Sequence, residues 1–251
     1  MSATASHRSR ETEERATTRR PGEVVGVSEA ILGRTSIRAF TSQPLEAGLL
    51  RQILDVARYA PSGSNMQPWR MIAVAGEARD RVVDAVRDRQ AGEDAGDEAG
   101  DHPIRPSPIW EPYRTRRFKV AEDMYGKLGI PRSDKPARLR FLAGNAEFFG
   151  APVGLFFVID RNLGHSQWAH LGMLMQTVAL AAYERGVASC MQEFWASTRQ
   201  TLARHFDLPP HEMIYCGMAL GFADETAPVN TLRSDRASLD EICEFRGFIP
   251  E

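Results

Sequence analysis

Two short polar segments carry the residues best suited to chemistry. The first, RTSIR, holds two guanidinium groups and two hydroxyls within five residues, contributed by Arg34, Thr35, Ser36 and Arg38. Arginine side chains bind phosphate oxygens through two parallel hydrogen bonds, and hydroxyl groups add neutral donors. The segment therefore suits a terminal phosphate group, although a solvated basic turn has the same composition.

The second segment, residues 61–69 (PSGSNMQPW), lies between a predicted helix and a predicted strand. Its two prolines stiffen the backbone, and Gly63 permits the backbone to approach a ligand closely. Asn65 and Gln67 carry paired donors and acceptors that suit the edge of a heterocycle or a polyol. Trp69 is expected to anchor the loop in the core. Taken alone, the segment also fits an ordinary turn between two elements.

Other catalytic signatures are missing from the sequence. The patterns GxGxxG, GxxxxGK[ST] and GxSxG do not occur, which argues against a Rossmann site, a phosphate loop and a hydrolase nucleophile. The six histidines include no HExxH, and His165 and His170 are five residues apart, a poor fit to one helical face. We therefore expect no metal site and no catalytic acid–base residue, and we expect both histidines to be structural or exposed.

The bulk composition excludes several classes of protein. The chain has 251 residues, 43% of them hydrophobic and 25% charged, which is typical of a globular domain with a substantial core. A formal net charge of -2 supplies no basic field, so we expect neither nucleic acid nor a membrane as a partner. No apolar run approaches the roughly 18 to 20 residues that a membrane-spanning helix needs.

The cysteines and the N-terminus bear on the compartment. Cys190, Cys216 and Cys243 are widely spaced and odd in number, which argues against a disulfide framework or a zinc site. Their apolar contexts predict small buried side chains, and a reducing cytoplasm fits. Residues 1–27 lack the apolar segment of a secretory signal, and their composition predicts a disordered tail.

Hydrophobic periodicity predicts the strands that position the two polar segments. They are expected at residues 71–75, 153–159, 187–191 and 213–221. Residues 71–75 and 153–159 are continuous apolar runs, which are typical of buried strands. Phe245 and Phe248 close an otherwise polar tail and are expected to pack against another surface.

Helices with apolar stripes are expected to cover this sheet. They are predicted at residues 29–32, 45–59, 77–90, 113–127, 136–149, 167–185 and 198–206. The nearly all-apolar helix at 167–185 should lie in the core. Gly, Asp and Pro crowd residues 91–108, which predicts a solvated loop. With no repeat and no linker, we predict one α+β domain over residues 28–251, with a variable lid segment at about 91–140.

In combination, the two polar segments resemble the FMN-dependent nitroreductase family. The order R-T-S-I-R-x-F followed by A-P-S-G-S-N-x-Q-P-W carries the resemblance. It continues through residues 186–190 (GVASC), 216–221 (CGMALG) and 230–236 (NTLRSDR), and it covers about residues 34–248. Residues 110–113 (WEPY) and the CGMALG strand are similar to the nitrobenzoate reductase branch of that family.

The resemblance implies a nitroreductase-like α+β fold and a set of cofactor-binding residues. The implied fold has a central mixed or antiparallel sheet covered by helices, and it forms an intertwined homodimer with FMN at the subunit interface. The implied contacts to the FMN phosphate and ribityl chain are Arg34, Thr35, Ser36, Arg38, Arg233 and Arg236. The implied contacts to the flavin from the partner subunit are Pro61, Ser62 and Asn65. The backbone implied to lie along the flavin ring is that of Cys190, Met191 and Gln192.

Two positions depart from the family pattern. Many members carry proline where Met191 stands, so the contacts along the ring can differ here. Many also carry lysine near Ser234, which leaves Arg233 or Arg236 as the cation of this segment.

The resemblance also implies a ping-pong reaction. NADPH or NADH reduces FMN and departs, and a nitroaromatic or quinone-like acceptor then takes hydride in the same space. Trp110 and Tyr113 lie in a segment rich in aromatic and cationic residues, with Arg114, Arg116 and Arg117 close by. One hypothesis is that this segment covers the flavin, stacks on an aromatic acceptor and pairs its carboxylate. The alternative is a helix with a solvated basic face.

Two other functions remain open at the level of sequence. One is a different flavin reaction on the same scaffold, such as reductive dehalogenation, enoyl-type reduction or flavin fragmentation. The other is a non-catalytic FMN-binding protein.

Overall fold

The computed structural model of the protein describes residues 25–91 and 107–248. The strands are β1 (Arg70–Ala75), β2 (Val153–Asp160), β3 (Ala188–Gln192) and β4 (Glu212–Gly221). The helices are α1 (Val27–Gly33), α2 (Ala47–Ala57), α3 (Gly76–Ala91), α4 (Tyr113–Lys127), α5 (Lys135–Ala143), α6 (His165–Glu184), α7 (Arg199–His205) and α8 (Leu239–Ile242). Residues 1–24 of the tail predicted at 1–27 and residues 92–106 of the loop predicted at 91–108 lie outside the described residues. Val27, which was assigned to the tail, instead begins α1.

The four described strands form one sheet in the order β1-β2-β4-β3, and each neighbouring pair is antiparallel. Every residue of β2 except its last is buried, so the strand that was predicted to be covered on both faces is confirmed. The predicted α+β class with an antiparallel, helix-covered sheet is confirmed as well.

The two faces of the sheet support two separate cores. On one face, α2 and the central helix α6 pack against the sheet, with Leu171, Leu174 and Val178 fully buried. On the other face, α3 and α7 pack around Trp195, which stacks on the Phe148 ring at 4.4 Å. The prediction that α6 packs into the core is therefore confirmed for its inner face, whereas Met173 on the outer face is exposed.

The edge strand β1 is less buried than predicted. Val74 is its one buried residue, while Arg70, Ala73 and Ala75 are exposed. An apolar run marks a strand but does not show whether a second strand pairs with its outer side. The prediction of a fully buried strand was therefore wrong for this chain.

Three smaller predictions also need correction. The helix predicted at 136–149 ends with α5, and a 3-10 turn at Gly144–Gly150 follows, in which Phe148 and Phe149 both have a φ of 53°. Cys190 and Cys216 are buried free thiols as expected, but Cys243 is exposed. Phe245 and Phe248 contact each other edge to face at 5.7 Å and are otherwise largely exposed.

The lengths and compositions of the described helices show whether any of them could cross a membrane. Across residues 25–91 and 107–248, none of the helices combines the length and apolar character that crossing a bilayer demands.

Candidate functional site

The segment that follows α1 runs extended along the outer edge of β3. Ser36 forms a parallel bridge with Ser189, and the Ile37 N–H donates to the Ser189 carbonyl at 3.0 Å. Side chains alternate along an extended chain, so Ile37 points into the core while its neighbours point away from it. Both arginines of the segment and the Ser36 hydroxyl therefore lie on one side, close to the Cys190 thiol.

The end of α1 fixes where Arg34 leaves the helix. A Cβ on Gly33 would lie 2.0 Å from the Tyr183 Oη, near the C-terminal end of α6. Only glycine allows this close approach without displacing the tyrosine. The contact ties the start of the arginine segment to the central helix.

The C-terminal segment joins the first one through a buried amide. The Asn230 side chain accepts from the Arg38 N–H and donates to the Ala39 and Asp224 carbonyls, each at 2.8 Å. Asn230 itself is only 2% exposed, so its side chain is held away from water. Thr35 adds a bond from its hydroxyl to the Leu232 carbonyl at 3.4 Å. Residues 34–39 and 230–236 therefore form one unit.

We name this unit the cationic cradle, consisting of residues 34–38 of the first segment and 233–236 of the second. Arg236 folds back on its own segment and donates to the Ser234 carbonyl at 2.9 Å. Arg233 donates to the Asn230 and Leu232 carbonyls at 3.2 and 3.0 Å. Both guanidinium groups are exposed, and each keeps further N–H donors for a ligand.

The electrostatics of the cradle favour an anion. Burial lowers the pKa of Arg34, and repulsion from Arg236 lowers it further. The Arg34 Nε–H is buried, and it has no hydrogen-bond acceptor within residues 25–91 and 107–248. Two cations that repel each other, one with an unpartnered buried donor, fit a ligand with several anionic oxygens such as a phosphate.

The Cys190 thiol beside the cradle is unsuited to nucleophilic chemistry. Burial raises its pKa, and the nearby Arg38, Ser36 and Arg34 offset that rise only in part. A neutral buried thiol is neither a nucleophile nor a metal ligand. Within the described parts of the chain there is also no group of three or more His, Cys, Asp or Glu that could hold a metal ion.

Two residues of β3 that were predicted to lie along the flavin ring, Met191 and Gln192, use their side chains for contacts within the protein. The buried Gln192 side chain donates to the Asn145 carbonyl at 3.0 Å and accepts from the Trp195 indole at 3.1 Å. It therefore has a structural role on the face of the sheet that carries Trp195, and only its backbone remains for a ligand. Met191 is partly buried and packs against the core that contains α6.

The loop at residues 61–65 lies at the other end of α6. The Gly63 N–H donates to His170 Nε2 at 3.2 Å, near the start of that helix, whereas Tyr183 near its end approaches Gly33, directly before the cradle. Tyr183 stands thirteen positions after His170, which corresponds to about 20 Å at 1.5 Å per residue. Within one chain, Pro61, Ser62 and Asn65 are therefore not brought together with Arg34.

The predicted acceptor residues lie at the exposed start of α4. Trp110 and Tyr113 meet edge to face at 5.9 Å, and more than half of each side chain is exposed. The later part of α4 packs on the C-terminal segment, where Met124 and Tyr125 share a small core with Leu232.

Two ion pairs also join α4 to the cradle side. Lys119 contacts Asp235 at 2.8 Å, and Arg116 contacts Glu241 at 3.2 Å. Exposed pairs of this kind contribute little individually. Together with the small core under α4, they position the helix that begins at Tyr113, and Trp110 directly before it, beside the cradle.

Sequence reasoning missed two residues of the site. Asn230 joins the two halves of the cradle, and His170 holds the 61–65 loop. Asn230 stands within a segment that the resemblance had singled out, so its position was a usable signal. For His170 the sequence offered only a lone histidine on an apolar helix.

Known proteins of similar sequence include nitroreductases. A family model described as the nitroreductase family matches residues 31–222. The nitrobenzene nitroreductase of Ectopseudomonas oleovorans is 38% identical and aligns with 87% of this chain and 96% of its own length. The 4-nitrobenzoate reductase of Pseudomonas putida is 36% identical and aligns with 87% of this chain and 94% of its own.

Solved structures give the same result. The chain is 41% identical to an FMN- and NADPH-dependent nitroreductase from Sphigopyxis sp. strain HMH, with a TM-score of 0.85. That alignment covers 89% of this chain and all of the other.

Proposed function

The chain belongs to the nitroreductase family, and from that premise we propose that it is an FMN-dependent oxidoreductase. It passes hydride from NADPH or NADH to a nitroaromatic or quinone-like acceptor. The observation that carries this assignment is the Arg34 guanidinium, which lies half-buried beside Arg236 with an Nε–H that lacks an acceptor within the described chain. A cofactor phosphate supplies the anionic oxygens that this pair requires.

The residues of the cradle fit FMN by their chemistry. Arg34, Arg38 and Arg236 would hold the phosphate, with Ser36 as a neutral donor, and Arg233 adds a further charge at the rim. The Thr35 hydroxyl, which was also predicted to bind the cofactor, donates to the Leu232 carbonyl instead. The backbone of residues 190–192 would lie along the flavin ring. When bound, FMN supplies the hydride chemistry between the nicotinamide and the acceptor.

The chain's own contribution is to bind and orient. The bonds made by Asn230 fix the two cradle segments relative to each other before any ligand arrives. Such preorganisation reduces the entropy that binding would otherwise cost. The Cys190 thiol keeps its proton because burial raises its pKa, so we assign it no proton transfer. Protons for the reduced acceptor then come from solvent.

We propose that a second copy of the chain completes each site. The cradle and the 61–65 loop lie about 20 Å apart along α6 in one chain, so a two-fold partner is needed to present both to one flavin. Exposed apolar side chains support such an interface, because large exposed patches mark interaction sites. They are Val27, Ile31 and Leu32 on α1, and Phe245 and Phe248 near the C-terminal end of the described chain.

We also propose that the protein works in the cytoplasm. All three of its cysteines are free, which fits a reducing compartment.

The first test of the function is the spectrum of the purified protein. We expect a yellow protein with flavin absorbance that is bleached by NADPH or NADH under anaerobic conditions and returns when nitrobenzene is added. A colourless protein that takes up no FMN would overturn the proposal. Bleaching without reoxidation by any nitro compound or quinone would leave FMN binding intact and exclude the nitroreductase activity.

The acceptor side is proposed to include Arg117. This residue is one helical turn from Tyr113 and therefore lies on the same face of α4. Arg114 is paired with Glu111 at 2.7 Å, and Arg116 is paired with Glu241. For Arg117, no ion pair occurs among the residues that the structure describes, so its charge is available to an anionic substituent on the acceptor.

Arg117→Ala is expected to lower kcat/KM for 4-nitrobenzoate about tenfold, the effect of one charged hydrogen bond of about 1.4 kcal/mol. The value for nitrobenzene, which lacks the carboxylate, should stay within about threefold of wild type. Arg114→Ala is the matched control on the same turn and should leave the ratio of the two values unchanged. Equal losses on both substrates would refute a carboxylate contact by Arg117.

A further inference from the structure

The loop between α2 and β1 has an unusual backbone. Ser64, Asn65 and Gln67 have φ angles of 52°, 55° and 46°, which place three residues other than glycine in the left-handed region. Residues with a Cβ adopt this region at an energetic cost, and such strain persists only where surrounding contacts hold it. Strained residues of this kind concentrate at ligand-binding sites. The strained conformation of this loop therefore depends on the contacts that hold it.

Most of those contacts lie within the loop itself. The Ser62 hydroxyl accepts from the Gln67 N–H at 2.9 Å, and the Gln67 side chain donates to the Asn65 carbonyl at 3.1 Å. Within the described chain, a single hydrogen bond ties residues 61–67 to another element. It runs from the Gly63 N–H to His170 Nε2 on α6, at 3.2 Å.

The bonding around His170 defines its tautomer. Because Nε2 accepts from an amide N–H, the ring proton must be on Nδ1, which lies 2.9 Å from the Gln167 Oε1. Gln167 thus orients the imidazole, and the imidazole orients the loop. The fit is close, since a Cβ on Gly63 would lie 3.0 Å from the His170 Cε1.

We propose that His170 is a positioning residue for flavin binding: its Nε2 fixes the Gly63 amide, so that residues 61–65 are held in the conformation that contacts FMN in the partner's cradle. This inference rests on the proposed function, in which the loop meets the flavin. The ring acts through the loop and needs no contact with substrate. The sequence predicted only a structural or exposed histidine at position 170, and the positioning role adds to that prediction.

Three variants of the full-length protein test whether the hydrogen-bond acceptor of His170 or only the volume of its side chain holds the loop. His170→Ala removes the acceptor, whereas His170→Gln places an amide oxygen close to the position of Nε2. His165→Gln is the control, because His165 lies on the same helix and packs edge to face on Trp168 at 4.4 Å. Two readouts are needed, namely hydrogen exchange of the Gly63 amide in the apoprotein and the Kd for FMN from fluorescence quenching.

We expect His170→Ala to speed Gly63 exchange at least tenfold and to weaken FMN binding about tenfold, with little change in the melting temperature of the apoprotein. His170→Gln should restore both values to within about threefold of wild type, and His165→Gln should change neither. If wild type binds FMN and His170→Ala matches it in both readouts, the role of His170 is refuted. If wild type binds no FMN, the proposed function itself falls. Recovery by His170→Gln would exclude a purely steric role, and failure to recover would refute the acceptor role.

Discussion

Arg34→Met is expected to weaken FMN binding by about 10- to 150-fold, because it removes a charged donor pair from the cofactor phosphate. Hydrogen bonds to charged groups contribute roughly 1.5 to 3 kcal/mol, and each 1.4 kcal/mol corresponds to a factor of ten in Kd. Methionine keeps much of the length and apolar volume of the arginine stem, so packing against the end of α1 is largely preserved. The Kd is measured by titrating apoprotein with FMN and following the loss of flavin fluorescence.

The same substitution weakens FMN binding but should not lower the stability of the apoprotein. Burial and the Arg236 charge both lower the pKa of Arg34, so the charged form of Arg34 is disfavoured in the folded apoprotein. Removing that charge should leave the melting temperature of the apoprotein unchanged or raise it. A loss of affinity without a loss of stability would therefore locate the effect in the ligand contact.

Arg58→Met is the control for this pair of measurements. Arg58 is exposed at the end of α2, where it is paired with Asp55 at 2.8 Å and lies over the Tyr59 ring. Its loss should change neither the Kd nor the melting temperature appreciably. Wild-type affinity in Arg34→Met would show that the phosphate is bound elsewhere.

The first segment of the cradle was predictable from sequence because its donors are close together in the chain. Arg34, Ser36 and Arg38 alternate along one extended segment, and the types of these residues already indicate an anion. The Asn230 link could not be derived in the same way. It joins positions 192 residues apart, and nothing local distinguishes a buried asparagine from an exposed one.

The dependence on contacts between distant residues also explains which parts of the fold were predicted correctly. β2 and the inner face of α6 were predictable because their apolar residues pack into the core, so local hydrophobicity reports their position. The position of β1 at the edge of the sheet depends on which strand pairs with it, and that is decided by tertiary contacts. His170 belongs to this second class, because its partner Gly63 is 107 residues away and contributes only a backbone amide.

A mixed dimer should reveal whether each flavin site is shared between two chains. One protomer would carry Arg34→Met, and its partner would carry Asn65→Gly, since glycine adopts the φ of 55° without strain. If sites are shared, one site receives both substitutions, while the other receives an intact cradle from one chain and an intact loop from the other. The mixed dimer should then bind one FMN with wild-type affinity.

A site built within one chain gives a different result. Each protomer would then carry one damaged element, and the mixed dimer would bind as weakly as the two parent variants. The experiment uses two affinity tags to isolate mixed dimers, followed by flavin stoichiometry and titration, with both parent homodimers as controls. A purified protein that elutes at 28.0 kDa rather than twice that mass would rule out sharing outright. Since the cradle and the loop lie at opposite ends of α6, the shared arrangement is the one that brings both onto a single flavin without unfolding the central helix.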